Sequence, residues 1–138
     1  AFSMTEAIHS YLNVHDISTT KLSGLQGAPY YDQLLNKEKL ETDLSLNIAS
    51  ETDRIYQAPD NELLLLQGKA PNIRIEQEHG NAVVVWNPWI EKSKAMSDFP
   101  DNGYKNMLCV EAANTRYSSI KIAPGESHSI QQTISLGS

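Results

Sequence analysis

Cysteine occurs once in the 138 residues, at Cys109, so no intrachain disulfide can form and a small stapled secreted scaffold is excluded. A reducing, cytoplasmic setting is the expectation. Positive charge is also scarce. Eleven Lys and Arg against 17 Asp and Glu give a formal charge of −6 with no basic cluster, which argues against nucleic acid or an anionic membrane as a partner. No run nears the roughly 18 consecutive apolar residues of a spanning helix. The opening Ala1-Phe2-Ser3-Met4 has neither the basic nor the apolar part of a signal peptide. A start without methionine points to an excised segment or to methionine removal. Repeats, low-complexity tracts and linkers are lacking too, so a single domain with a small-molecule or protein partner is expected.

What remains is strand-like. Short runs rich in Ile, Val, Leu, Tyr and Thr alternate with period two between Gly, Pro, Asn and Asp clusters. Strands are expected over 5–14, 17–23, 44–48, 53–57, 62–67, 106–114, 118–123 and 127–135. Residues 72–78 and 82–86 read as a hairpin closed by Gly80-Asn81. Turns are expected at Gly27-Ala28-Pro29, Ala58-Pro59-Asp60-Asn61, Lys69-Ala70-Pro71, Pro100-Asp101-Asn102-Gly103 and Ala123-Pro124-Gly125. Charges at helical spacing suggest a short helical turn in each of 31–41 and 88–98. The fold class is all-β, a sandwich or barrel.

Within 5–14, alternation puts Ile8, Ser10, Leu12 and Val14 on one face and Ala7, His9, Tyr11 and Asn13 on the other. The second set is either a sugar-binding strip of donors, acceptors and an aromatic edge, or the ordinary polar side of a half-exposed strand. In Met107-Leu108-Cys109-Val110-Glu111 a carboxylate follows an apolar run on the face of Met107 and Cys109. It is either a general base desolvated at a cleft rim or a strand end emerging into water. Asp53 reads first as a turn residue bonding its own backbone, and Arg54 points to the opposite side of that strand. Trp86 and Trp89 flank Asn87-Pro88; one of them suits a sugar face, although Trp86 at the end of an apolar strand reads equally as core.

Taken in order, Glu6-Ala7-Ile8-His9-Ser10-Tyr11-Leu12, Gly24-Leu25, Tyr31-Asp32, Glu51-Thr52-Asp53-Arg54-Ile55-Tyr56, Val84-Val85-Trp86-Asn87-Pro88, Asp98-Phe99-Pro100-Asp101-Asn102-Gly103-Tyr104-Lys105, Cys109-Val110-Glu111 and Ala123-Pro124-Gly125-Glu126 resemble the hexose-6-phosphate mutarotases. These are a branch of the aldose 1-epimerase superfamily. The resemblance implies a galactose-mutarotase-like β-sandwich of which residues 1–138 form the carboxy-terminal half. It also implies His9 as general acid, Glu111 as general base on the other side of a bound ring, Asp53 on the sugar hydroxyls, and no metal or cofactor. Tyr11-Leu12 departs from the family's frequent Tyr-Phe. The basic residues that hold the sugar phosphate in the family precede the segment present here; Arg54 and Lys105 are the basic residues nearest the matched motifs. The missing amino-terminal half, or a second copy, is expected to complete the fold.

Other chemistries find less support. His9, His15, His79 and His128 are far apart and none is spaced as a ligand pair with Cys109, so no metal site is expected. There is no Gly-x-Ser-x-Gly elbow, and Cys109 has no adjacent helix terminus to activate it. The serious rival is a carbohydrate-binding module of the same fold without activity.

Overall fold

The protein is described by a computed structural model over residues 1–57, 62–117 and 119–137. The turn expected at Ala58-Pro59-Asp60-Asn61 lies outside the described residues. Alternating apolar residues build β1 (Phe2–Met4), β2 (Glu6–Ala7), β3 (Tyr11–Asn13), β4 (Lys21–Ser23), β5 (Pro29–Asp32), β6 (Lys37–Leu40) and β7 (Ser45–Asn47). The chain continues with β8 (Thr52–Gln57), β9 (Glu62–Leu66), β10 (Ile73–Glu78), β11 (Ala82–Asn87), the helix α1 (Trp89–Ala95), β12 (Met107–Asn114), β13 (Ile120–Ile122) and β14 (Gln131–Leu136). Two 3-10 turns cover Ile17–Thr19 and Gly103–Asn106.

Strands β14-β10-β9-β4-β7 form one antiparallel sheet, and β12-β11-β8-β5-β6 form another, with β2 and β3 both paired to the free side of β12. The core lies between them. Leu22, Leu63, Leu65 and Ile75 from the first sheet meet Val83, Val85, Leu108 and Val110 from the second. Each such side chain removed from water contributes about 1.5–3 kcal/mol. All eight residues of β12 are buried. Because successive side chains alternate, Leu108 and Val110 enter this core, while Met107, Cys109 and Glu111 lie on the other face of the strand.

The expected hairpin of 72–78 with 82–86 is not one. Both strands form, but β10 pairs with β9 and β14, whereas β11 pairs with β8 and β12. The corner between them passes from sheet to sheet, with His79 at φ 65 and the Asn114 side chain fastening it through His79 O (2.7 Å) and Asn81 N (2.9 Å). Alternation specifies which side a strand buries; it does not specify its neighbour. Residues 31–41 are likewise a β5–β6 hairpin and not a helical turn. The Asp32 carboxylate accepts from Leu34 and Leu35 N–H in its turn, and the Lys37-Glu38-Lys39 charges lie on a fully exposed edge strand, where charge blocks edge-to-edge pairing. The helical turn expected within 88–98 is α1.

One polar cluster lies on the core side. Tyr56 donates its hydroxyl to the buried Glu41 carboxylate (2.6 Å) and accepts from Arg54 (3.0 Å), whose guanidinium stacks on Tyr30 at 4.7 Å. A buried carboxylate survives only with such partners.

Candidate active site

Strand register assembles the site on the outward face of the β12-containing sheet. Ala7 opposes Ala113 and Tyr11 opposes Cys109, so the break between β2 and β3 inserts no residue and leaves His9 opposite Glu111. The break is a γ-turn centred on His9, with Ser10 N–H bonded to Ile8 O (2.9 Å) and Ile8 N–H held by Ala112 O (2.9 Å). Ser10 is pinned from behind: its hydroxyl bonds the Gln132 side chain, whose amide donates to Val110 O at 2.9 Å. His9 therefore projects from fixed backbone.

His9 Nδ1 lies 3.0 Å from Glu111 Oε2, with the imidazole side chain 54% exposed and the carboxylate 9%. Burial pushes the Glu111 carboxyl above the usual range; the His9 charge and hydrogen bond oppose this, and the Asp53 charge adds to it. In the next row across the sheet, Tyr11 opposes Cys109, Cys109 opposes Trp86, and Trp86 opposes Asp53. The rings form one cluster, His9 at 4.7 Å from Tyr11 and Trp86 at 6.1 Å from both. An acid–base pair is thus edged by two aromatic surfaces with a second carboxylate along the row, an arrangement suited to a polyhydroxylated ring.

His9, Tyr11, Asp53, Trp86 and Glu111 come together; two other expected residues do not join them. Arg54 turns to the core side, where it serves Glu41, Tyr56 and Tyr30. This follows from alternation, since its neighbour Asp53 occupies the outward face. Lys105 is exposed on the second 3-10 turn, and its charge is felt by Asp16. Trp86 lies on the site face and not in the core, while Trp89 packs on the core beside Tyr104 (5.0 Å). His9 and Glu111, expected on opposite sides of a bound ring, lie 3.0 Å apart on one face.

The sequence reading missed Gln33, whose Nε2 donates to Asp53 Oδ1 at 2.8 Å. It also missed the nearness of Cys109 to the pair. His9, Glu111 and Cys109 each offer a ligand atom within 4.8 Å of the others, a nitrogen, oxygen and sulfur set of the kind zinc accepts. The Cys109 thiol is buried and pushed up to about 12, first by desolvation and then by the Glu111 charge, so it stays a neutral thiol beneath the pair at neutral pH. A cavity of about 440 Å³ lies elsewhere, lined by Asn13, His15, Gln67, Pro71, Asn106 and Leu136 among others. Among the described residues that line it there is no carboxylate and neither member of the pair, so chemistry favours the open face.

The fold is a β-sandwich whose outward face carries the His9–Glu111 pair beside Tyr11, Trp86 and Asp53. The chain matches the family model described as aldose 1-epimerase over residues 1–135, and it belongs to that family. It is 39% identical over 127 residues to a Cenchrus ciliaris protein named "Putative glucose-6-phosphate 1-epimerase", covering 91% of this chain and 38% of that protein. The Escherichia coli K12 protein of the same name is 38% identical over 115 residues, covering 81% and 38%. Among solved structures, one titled as a "putative mutarotase (YeaD)" from Salmonella typhimurium superposes with a TM-score of 0.90 at 34% identity. The match covers 96% of this chain and 45% of YeaD. HI1317 superposes with a TM-score of 0.81 at 26% identity, covering 98% and 48%. The chain thus spans less than half of each of these relatives.

Proposed function

We propose that this chain carries the proton-transfer pair of a mutarotase that interconverts the α and β anomers of a hexose 6-phosphate. The observation that carries the reading is the 3.0 Å contact of His9 Nδ1 with Glu111 Oε2 on a face that also bears Tyr11, Trp86 and Asp53. Ring opening requires a proton to leave the anomeric hydroxyl as another reaches the ring oxygen. Both oxygens are bonded to the same carbon, so an acid and a base standing side by side on one face can serve the two of them.

The Glu111 carboxylate takes the anomeric proton, the C1–ring-oxygen bond breaks as the C1 carbonyl forms, and the ring oxygen receives a proton from His9 Nε2. Nδ1–H meanwhile stays directed at Glu111, which fixes the orientation of the ring. After rotation about C1–C2, reclosure runs the transfers backwards and yields the other anomer. Neither group is consumed. Each proton transfer contributes on the order of a hundredfold or more. Asp53 accepts from ring hydroxyls, and Trp86 or Tyr11 covers an apolar sugar face.

The phosphate part of the proposal draws on the names of the relatives. Arg54 is engaged with Glu41 on the core side, which leaves it out of the phosphate site of this reading. A coupled assay of α- to β-glucose 6-phosphate conversion by full-length protein carrying Glu111→Gln tests the reading. A loss of a hundredfold or more is expected. Undiminished turnover in the variant would count against Glu111 as the base, and no conversion by the wild type would support instead a carbohydrate-binding module without activity.

A further inference from the structure

Gln33 lies in the turn that closes the β5–β6 hairpin, a position with no pattern to mark it. We infer that Gln33 is a substrate-contacting, specificity-determining residue that reads, together with Asp53, two adjacent hydroxyls of the sugar; this rests on the mutarotase reading above. Two hydrogen bonds tie the residues: Gln33 N–H to Asp53 O at 2.9 Å, and Gln33 Nε2 to Asp53 Oδ1 at 2.8 Å. The first extends the β5–β8 ladder by one residue beyond Asp32 opposite Arg54. The second occupies one carboxylate oxygen and fixes the amide by its nitrogen end.

That leaves two acceptors side by side. Among the described residues, neither Asp53 Oδ2 nor Gln33 Oε1 takes part in a hydrogen bond. Gln33 is exposed, and Asp53 shares a row with Trp86, Cys109 and Tyr11 beside the acid–base pair. A sugar offers hydroxyl donors in pairs on neighbouring carbons, the pattern that an adjacent carboxylate and amide oxygen can receive. A lone Asp53 would accept from either hydroxyl in several orientations; the amide beside it restricts the choice.

The turn that carries Gln33 is built to hold still. The Asp32 carboxylate accepts from Leu34 N–H (2.9 Å) and Leu35 N–H (3.1 Å), and the Tyr31 hydroxyl donates to Asn36 Oδ1 (3.0 Å). Arg116 lies 3.6 Å over the Tyr31 ring and pairs with Glu38 at 2.9 Å, clamping both strands of the hairpin from the site side. A specificity residue needs this support, because a loosely held amide discriminates poorly.

The test crosses a variant with altered substrates. Steady-state anomer conversion is measured in full-length protein, wild type and Gln33→Ala, with glucose 6-phosphate and its 2-deoxy, 3-deoxy and 4-deoxy analogues. Gln33→Ala should raise KM for the parent sugar roughly three- to tenfold with little change in kcat, the effect of one hydrogen bond lost in ground and transition state alike. With one of the analogues, the one lacking the hydroxyl that Gln33 reads, wild type and variant should have the same KM. A KM unchanged for the parent sugar, or an equal penalty on all four substrates, would overturn the inference. Glu111→Gln, run in parallel, reports on the acid–base reading separately, because its loss falls on kcat whichever hydroxyl is absent.

Discussion

His9 and Glu111 come from opposite ends of the chain, yet the imidazole nitrogen and the carboxylate oxygen stand 3.0 Å apart because β2 and β3 flank β12 in one continuous register. The contact has a cost. Glu111 is desolvated among apolar neighbours, and its carboxyl is pushed upward mainly for that reason.

A raised carboxyl in the folded state adds stability only while protonated. The contribution is complete below the unfolded value of about 4.3 and is lost as pH rises through the folded value. Once ionised, the buried Glu111 therefore works against folding. Glu111→Gln keeps the shape, retains an acceptor for His9 and cannot ionise. The variant should gain in melting temperature over wild type as pH rises, with the gap narrowing in acid, while conversion falls a hundredfold or more. Thermal melts at several pH values check the sign.

The charge of Asp53 adds to the upward push on Glu111. A general base works only when deprotonated, so activity should fall on the acid side as pH drops through the raised Glu111 value. Asp53→Asn removes one cause of the raise, and the acid limb of kcat/KM should move to lower pH. KM should rise as well, by roughly the three- to tenfold effect of a lost sugar hydrogen bond. A pH–rate profile of both proteins measures the two effects independently.

On the other side of the same strand, Tyr56→Phe removes the hydroxyl that holds Glu41 at 2.6 Å and Arg54 at 3.0 Å. Glu41 is buried, so the loss should destabilise by about 1–3 kcal/mol. KM and kcat should not change, since this cluster faces the core. Urea denaturation and steady-state kinetics on one preparation separate the effects.

Gly24 sits at φ 110, and a Cβ there would lie 2.7 Å from Leu63 Cδ2 and 3.0 Å from Glu62 O. Gly24→Ala should cost about 1–3 kcal/mol through backbone strain alone, with the clash against β9 adding to it. The midpoint of urea unfolding reports the loss.

Much of this was legible in the sequence, for a definite reason. Period-two alternation separated the core side of β3 and β12 from the side carrying His9, Tyr11 and Glu111, and the same alternation set Asp53 apart from Arg54. Pairing was not legible. Nothing local distinguishes Gly80-Asn81 closing a hairpin from a corner between sheets, because the fastening comes from Asn114, far along the chain. Gln33 was invisible for the same cause: only the β5–β8 register brings it beside Asp53. The charges of 31–41 misled because an exposed edge strand and a helix surface are both rich in Lys and Glu.

We propose that the sheet edge at β14, where Ile134 and Leu136 are exposed, is completed by further chain or by a second copy. Sedimentation of the isolated 138 residues should show self-association or aggregation. A monomer with a cooperative melt would argue that the edge needs no cover.

We propose that His9 and Glu111 act as one proton-transfer unit. Anomer exchange of glucose 6-phosphate, followed by NMR saturation transfer in full-length wild type, His9→Asn, Glu111→Gln and the double variant, tests it most directly. Each single change should slow exchange a hundredfold or more, and the double variant should be no slower than the worse single. Exchange at the wild-type rate in either single variant, or independent losses that multiply in the double, would contradict it.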